Sequence, residues 1–361
     1  MSGAAVRSYT AEDGRVRMQV RFLRIAMAAM VTVSTLLAAQ ESMPPQAETN
    51  PPTIEQAQQL AAKGKLNEAM TQLDALAKQT PEQAGVERLR GLIFYQRDEL
   101  DQALAAFTQA VLQDPNDRES MEMHGVTLYR QGHVAEAIPY LEKARASVEA
   151  TNVDQNYVLG LCYADVGRFD DARRAFAQLF DFGPESAEAH LLAGRMLLRR
   201  EYRDPAGAEA TKALAINPNL PLAHELLGEV ALANGDLPLA IKELEAERKI
   251  NPMGGAVYDR LGDAYLRAGE YKEAQQVLNR AVLLEPNSTG PYMLLGQTFL
   301  KLKQPIQALH YLVRAVQMDP SNYITHNLLG QAYKATGQVA EANREFKTVV
   351  ELQHPKTAAP R

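Results

Sequence analysis

From Asn50 onward, apolar residues fall into two short helical registers separated by a turn, and then the arrangement begins again. The stretch Gly255–Ser288 shows the unit. Tyr258, Leu261, Gly262 and Tyr265 recur at helical spacing and mark one face of a predicted helix. Gly269 breaks it. Ala274, Leu278 and Ala281 mark the face of a second helix, and Pro286 ends that one. The unit therefore reads helix, turn, helix, turn over 34 residues. Its apolar faces are too large to cover each other, so it needs neighbours of the same kind.

The chain supplies them by repetition. With Gly255 as position 1, the closing proline at position 32 recurs as Pro81, Pro115, Pro184, Pro218, Pro252, Pro286 and Pro320. A glycine at position 8 recurs as Gly91, Gly125, Gly160, Gly194, Gly228, Gly262, Gly296 and Gly330. Position 20 is alanine from Ala69 through Ala342, and position 24 is mostly large and apolar, as in Leu73, Phe107, Leu141, Phe176, Leu244, Leu278, Leu312 and Phe346. The small residues at 8 and 20 let the two helices approach, and bulky neighbours fill the remaining space. The register gives nine units: 50–83, 84–117, 118–152, 153–186, 187–220, 221–254, 255–288, 289–322 and 323–356. The third is longer than the others by one residue and has Glu149 in place of the proline. In the fifth, Asp204 is expected as N-cap with Pro205 at the first helical position. In the first, Ala57 replaces the glycine, which leaves a regular repeat or a looser capping pair open.

This register resembles the tetratricopeptide repeat (TPR) family, and the resemblance covers Asn50 to Lys356. It departs in having no Trp at position 4, where Tyr258, Tyr292, His190, His224 and His326 stand. The fold class implied is all-α, a right-handed α-solenoid of about nine helix-turn-helix units. Composition agrees, with few β-branched residues, and no sheet is expected.

Residues 1–39 differ from the rest. Arg15, Arg17, Arg21 and Arg24 precede IAMAAMVTVSTLLAA, an apolar run of 15 residues ending at Ala38-Ala39. A basic start, a short apolar core and small terminal residues predict an export signal, or else an uncleaved N-terminal anchor to the cytoplasmic membrane. Met1 and Met18 both remain possible starts. Export would place the chain in the bacterial periplasm or outside the cell. Residues 40–49 read as a disordered proline-rich linker and 357–361 as a tail. Residues 1–39 carry five Arg, one Glu and one Asp, so without them the net charge moves from −6 to −9. That argues against nucleic acid and against docking on anionic lipid, leaving membrane contact only through the N-terminal segment.

Candidate chemistry is sparse. The single cysteine, Cys162, forms no intramolecular disulfide and sits where small core residues recur. The run HELLG from His224 lacks the second histidine of a zinc-binding HExxH, and histidines in adjacent units stand too far apart to share a metal. No phosphate-binding glycine motif or nucleophile elbow occurs. The expectation is a non-enzyme without metal or cofactor.

What remains is surface. The resemblance implies that positions 2, 5, 9, 12 and 13 of each first helix face a concave groove. Those positions place Glu225, Glu229, Asp259 and Asp263 together, with Arg195 and Arg199 before them and Tyr95, Tyr129 and Tyr157 further along. The four carboxylates suit a Lys/Arg-bearing extended segment, with the tyrosines as stacking platforms. Equally, they form a solvated face paired with Arg195, Arg199 and Arg267. The expected partners are protein or peptide segments. No pair at positions 5 and 9 matches the Lys/Asn clamp by which the family grips a C-terminal carboxylate. On the last helix Phe346, Val349, Val350 and Leu352 are apolar with no later helix to cover them, so self-association, a partner or fraying is expected there. A structural subunit of an envelope, pilus or secretion assembly, and an accessory module of a separately encoded enzyme, stay open beside the scaffold reading.

Overall fold

The computed structural model describes residues 52–79, 83–146 and 153–354. The expected signal, the linker, Pro81, Glu149 and the tail lie outside them. Among the described residues every regular element is an α-helix, eighteen in all. The described residues divide into two compact units, the first running to residue 144 and the second starting at residue 145.

In the first unit the helices are α1 (Ile54–Ala62), α2 (Leu66–Leu76), α3 (Val86–Gln96), α4 (Leu100–Gln113), α5 (Arg118–Arg130) and α6 (Val134–Ala146). They pack as antiparallel pairs, α1 on α2, α3 on α4 and α5 on α6. The second unit holds α7 (Val153–Asp165), α8 (Phe169–Gln178), α9 (Ala187–Arg199), α10 (Arg203–Ile216), α11 (Ala223–Asn234), α12 (Leu237–Ile250), α13 (Gly255–Ala268), α14 (Tyr271–Leu284), α15 (Thr289–Lys301), α16 (Pro305–Met318), α17 (Tyr323–Ala335) and α18 (Val339–Gln353). Each helix here packs on the next. The first helices α9, α11, α13, α15 and α17 also touch one another in succession. Within this unit they therefore form the more closely spaced row, the inner side of the stack.

The small residues act as their positions predict. A Cβ on Gly262 would stand 2.3 Å from Leu278, and one on Gly296 equally close to Leu312, so the helices of a pair meet backbone to side chain. Ala57, Ala103, Ala206, Ala274 and Ala308 are wholly buried at the same junctions. The pair α9–α10 solves the problem differently. Ala210 stands where other pairs have Leu or Phe, and Leu226 of α11 fills the space against Gly194 instead, 2.7 Å from where its Cβ would be.

The turn between the two helices of a pair always passes through one left-handed residue at position 15. It is Gly64, Gly132, Gly167, Gly235, Gly269 or Gly337 in six pairs and Asp98, Glu201 or Lys303 in the other three. In the last three pairs position 4 ties the first helix to the turn before it. The hydroxyl of Tyr258 donates to the Pro252 carbonyl at 3.0 Å, that of Tyr292 to Pro286 at 3.3 Å, and Nε2 of His326 lies 3.0 Å from the Pro320 carbonyl.

One local expectation is corrected. Helix α10 begins at Arg203 with Tyr202 as N-cap, so Asp204 is not the cap and Pro205 is the third helical residue. The reason is that none of the first four N–H groups of a helix has an intrahelical acceptor, which lets proline sit anywhere in the first turn.

Candidate functional site

The inner row of the second unit brings two of the four predicted carboxylates to one cation. Glu225 on α11 is buried, and Arg260 on α13 reaches it through Nη1 at 2.8 Å while Nη2 pairs with Glu229. Arg195 on α9 stands 3.7 Å from Glu225 on the other side. Burial pushes the Glu225 carboxyl above its ordinary range, against the pull of Arg260 and Arg195. Among the described residues Asp263 pairs only with Arg267 of its own helix, at 3.5 Å. Arg199 is exposed and makes no ion pair among the described residues.

Asp259 differs from the other three. It is half-buried on α13, its Oδ1 is shielded from solvent, and it makes no hydrogen bond or ion pair among the described residues. Its carboxyl is pushed up to about 6, first by burial, then by the charges of Glu285 and Asp263, with Arg260 opposing. Across from it on α15 is Gly290, where a Cβ would come within 3.2 Å of Asp259 Oδ2. Gly290 thus packs close against the one of the four carboxylates that makes no ion pair among the described residues.

Below this row lies a feature that the repeat register does not predict. Leu222, the N-cap of α11, has φ 73° and no side-chain oxygen to cap with. Glu247, at the far end of α12 and 0% exposed, supplies one: its Oε1 accepts from the Leu222 N–H at 2.8 Å. Ala213, Ala281 and Ala315 occupy the same repeat position, so an acidic residue among alanines was the available signal. Arg260 was missed because it stands at position 6, outside the groove set.

The tyrosines are engaged rather than bare. In the first unit the Arg130 guanidinium lies 4.7 Å above the Tyr95 ring, and burial raises the Tyr95 hydroxyl against the effect of that same arginine. Tyr129 is half-buried there. In the second unit Tyr157 tilts against buried Phe176 with centroids 6.3 Å apart. On α18, Phe346 turns inward onto Gly330, Val349 and Leu352 are half-buried, and Val350 is 58% exposed.

The position 4 histidines each meet a carboxylate on the second helix of their own pair. Nδ1 lies 2.7 Å from Glu209 for His190, 2.7 Å from Glu243 for His224 and 2.6 Å from Glu345 for His326. They fasten the pairs internally. Among the described residues no group of three His, Cys, Asp or Glu side chains is placed to hold a metal ion. Cys162 is wholly buried, and burial pushes its thiol up to about 12. Among the described residues no helix is long and apolar enough to cross a membrane.

Comparison with known proteins gives three family matches. Residues 12–203 match the family described as "T7SS, ESX-1 secretion system protein EccA1, N-terminal domain". Residues 255–298 and 293–353 each match the tetratricopeptide repeat. Peroxisome biogenesis protein 5 of Arabidopsis thaliana is 29% identical over 161 residues, 42% of this chain, and the match spans 21% of that protein's length. Among solved structures, MamA of Desulfovibrio magneticus RS-1 is 23% identical, with 48% of this chain and 97% of that chain covered and a TM-score of 0.45. YrrB, a TPR protein with an unusual peptide-binding site, is 19% identical, with 52% and 95% covered and a TM-score of 0.44.

Proposed function

Because the chain belongs to the tetratricopeptide repeat family, and over residues 12–203 to that of the EccA1 N-terminal domain, it is a protein–protein interaction scaffold, and we propose that it holds extended segments of other proteins in the inner row of its second unit. The family is typically non-catalytic, and the reading assigns this chain no reaction. Asp259 is the observation that carries the proposal. A carboxylate shielded from water with no donor is costly, and a lysine, an arginine or a backbone N–H of a bound segment would supply what is missing. Glu225 and Glu229 are already ion-paired with Arg260, so they shape the wall rather than receive the segment. The Lys/Arg-bearing segment proposed from the four carboxylates thus narrows to Asp259, with Asp263 beside it.

The residues before Asn50 support export as the setting, with the scaffold in the periplasm or anchored at the cytoplasmic membrane. The match to a secretion-system protein favours a second reading, in which the chain is a fixed subunit of such an assembly. Affinity capture with the full chain as bait separates the readings. Exchangeable recovery of Lys/Arg-bearing segments, lost in Asp259→Asn with helicity unchanged, supports the groove. Equal recovery by Asp259→Asn removes it, and a salt-resistant complex of fixed stoichiometry favours the subunit reading. Determining the N-terminus of the native protein tests export in the same preparation.

A further inference from the structure

The second helices α4, α10, α12, α14 and α16 all end two residues before their closing proline. Helix α8 does not. It stops at Gln178, six residues before Pro184, so one helical turn is missing. The chain turns through Asp181 with φ 55°, the left-handed region that aspartate tolerates better than most side chains. The turn is nevertheless ordered by backbone bonds, since the N–H groups of Phe180 and Phe182 both donate to the Ala177 carbonyl, at 3.2 and 3.0 Å. Its effect is to release two aromatic side chains to the surface. Phe180 is 58% exposed and Phe182 37%, and their rings stack on each other with centroids 5.9 Å apart. In the regular pairs the matching positions lie within the helix, as in Val282 and Leu284.

We propose that this turn is a docking site for a segment of another protein in which an arginine or lysine stands beside an apolar side chain. Charge selects that occupant. No Lys or Arg occurs between Ala175 and Gly194, whereas Asp181, Glu185 and Glu188 are all exposed there. Glu185 is held by Arg173, but Asp181 and Glu188 make no ion pair among the described residues. A stacked phenylalanine pair offers ring faces to a cation and apolar area to its neighbour. A second copy of this chain would bring like charges together on the same patch, and an anionic membrane surface would be repelled by it. The site lies on a turn outside the inner row and does not depend on the groove reading.

The test uses the full chain carrying Asp259→Asn, so that the groove carboxylate does not contribute. The probe is a fluorescein-labelled peptide of alternating Arg and Leu, with a Glu-Leu peptide as control, followed by anisotropy at about 0.15 M salt. Phe180→Ser with Phe182→Ser is expected to weaken Arg-Leu binding about tenfold, as loss of an aromatic anchor does. Asp181→Gly keeps the left-handed turn and both rings while removing the charge, and it should also weaken binding. Equal affinity of the parent and the serine variant, or of the two peptides for the parent, overturns the proposal. So does a concentration-dependent dimer, or flotation with anionic vesicles, that the serine substitutions abolish.

Discussion

The shared left-handed residue at position 15 makes a two-way prediction about stability. Lys303 holds this conformation at φ 58°, is exposed, and makes no side-chain hydrogen bond or ion pair among the described residues. Gly269 holds it at φ 83°, and a Cβ there would meet nothing within 4 Å. The two positions therefore differ in backbone strain and hardly at all in packing. An L-residue in this region costs about 1–2 kcal/mol. Glycine returns roughly 0.5–1 kcal/mol of that through its greater freedom in the unfolded chain. Lys303→Gly should thus stabilise by about 0.5–1 kcal/mol, and Gly269→Lys should destabilise by about the same amount. The assay is urea unfolding followed by far-UV circular dichroism, with the slope of the transition checked for constancy. The turns lie one repeat apart, in adjacent helix pairs, and a side chain at position 269 would start in open space, so the double variant should return close to the parent midpoint. A Lys303→Gly midpoint at or below that of the parent would refute the reasoning.

Three further outcomes follow from buried groups. The Asp259 carboxyl keeps its proton up to about pH 6 in the folded chain, against 3.8 in its ordinary state. Stability from the neutral form is therefore complete below that ordinary value and lost as pH rises through about 6, so Asp259→Asn should stabilise by about 1–3 kcal/mol at pH 8 and by nothing at pH 3.5; a difference independent of pH sinks the assignment. Glu247→Ala leaves the Leu222 N–H without its acceptor and should cost about 1–3 kcal/mol, with faster hydrogen exchange at that amide, while Glu247→Gln loses less. Gly262→Ala drives a methyl into Leu278 and should cost about 1–3 kcal/mol; Leu278→Val added to it should recover part of the loss, and no recovery would place the strain elsewhere.

The pairing of helices was legible because its determinants are single residues repeated in one register. Gly262 with Leu278 and Gly296 with Leu312 announce their contacts by spacing alone. The exceptions were not legible, since they depend on which neighbour supplies a missing atom. Nothing in Ala210 points to Leu226 as its substitute, and nothing in Leu222 points to Glu247, twenty-five residues later, as its cap. The carboxylate row was visible as a row, but its division into ion-paired and unpaired members was not. That division turns on Arg260, which reaches Glu225 and Glu229 across the gap between pairs and leaves Asp259 on its own helix without a partner. The α8 ending escaped notice because Pro184 keeps its place in the register while the helix before it is a turn short.

The borrowed Leu226 bears on where this array can be cut. A truncation that ends at Asn219 removes the side chain that closes over Gly194, leaving a trough along α9 and α10 that neither helix can fill from its own residues. A truncation that ends at Pro252 leaves Gly228 roofed by Leu244 from the same pair. Shortened chains that stop after α12 should accordingly stay monomeric and helical, and those that stop after α10 should clump.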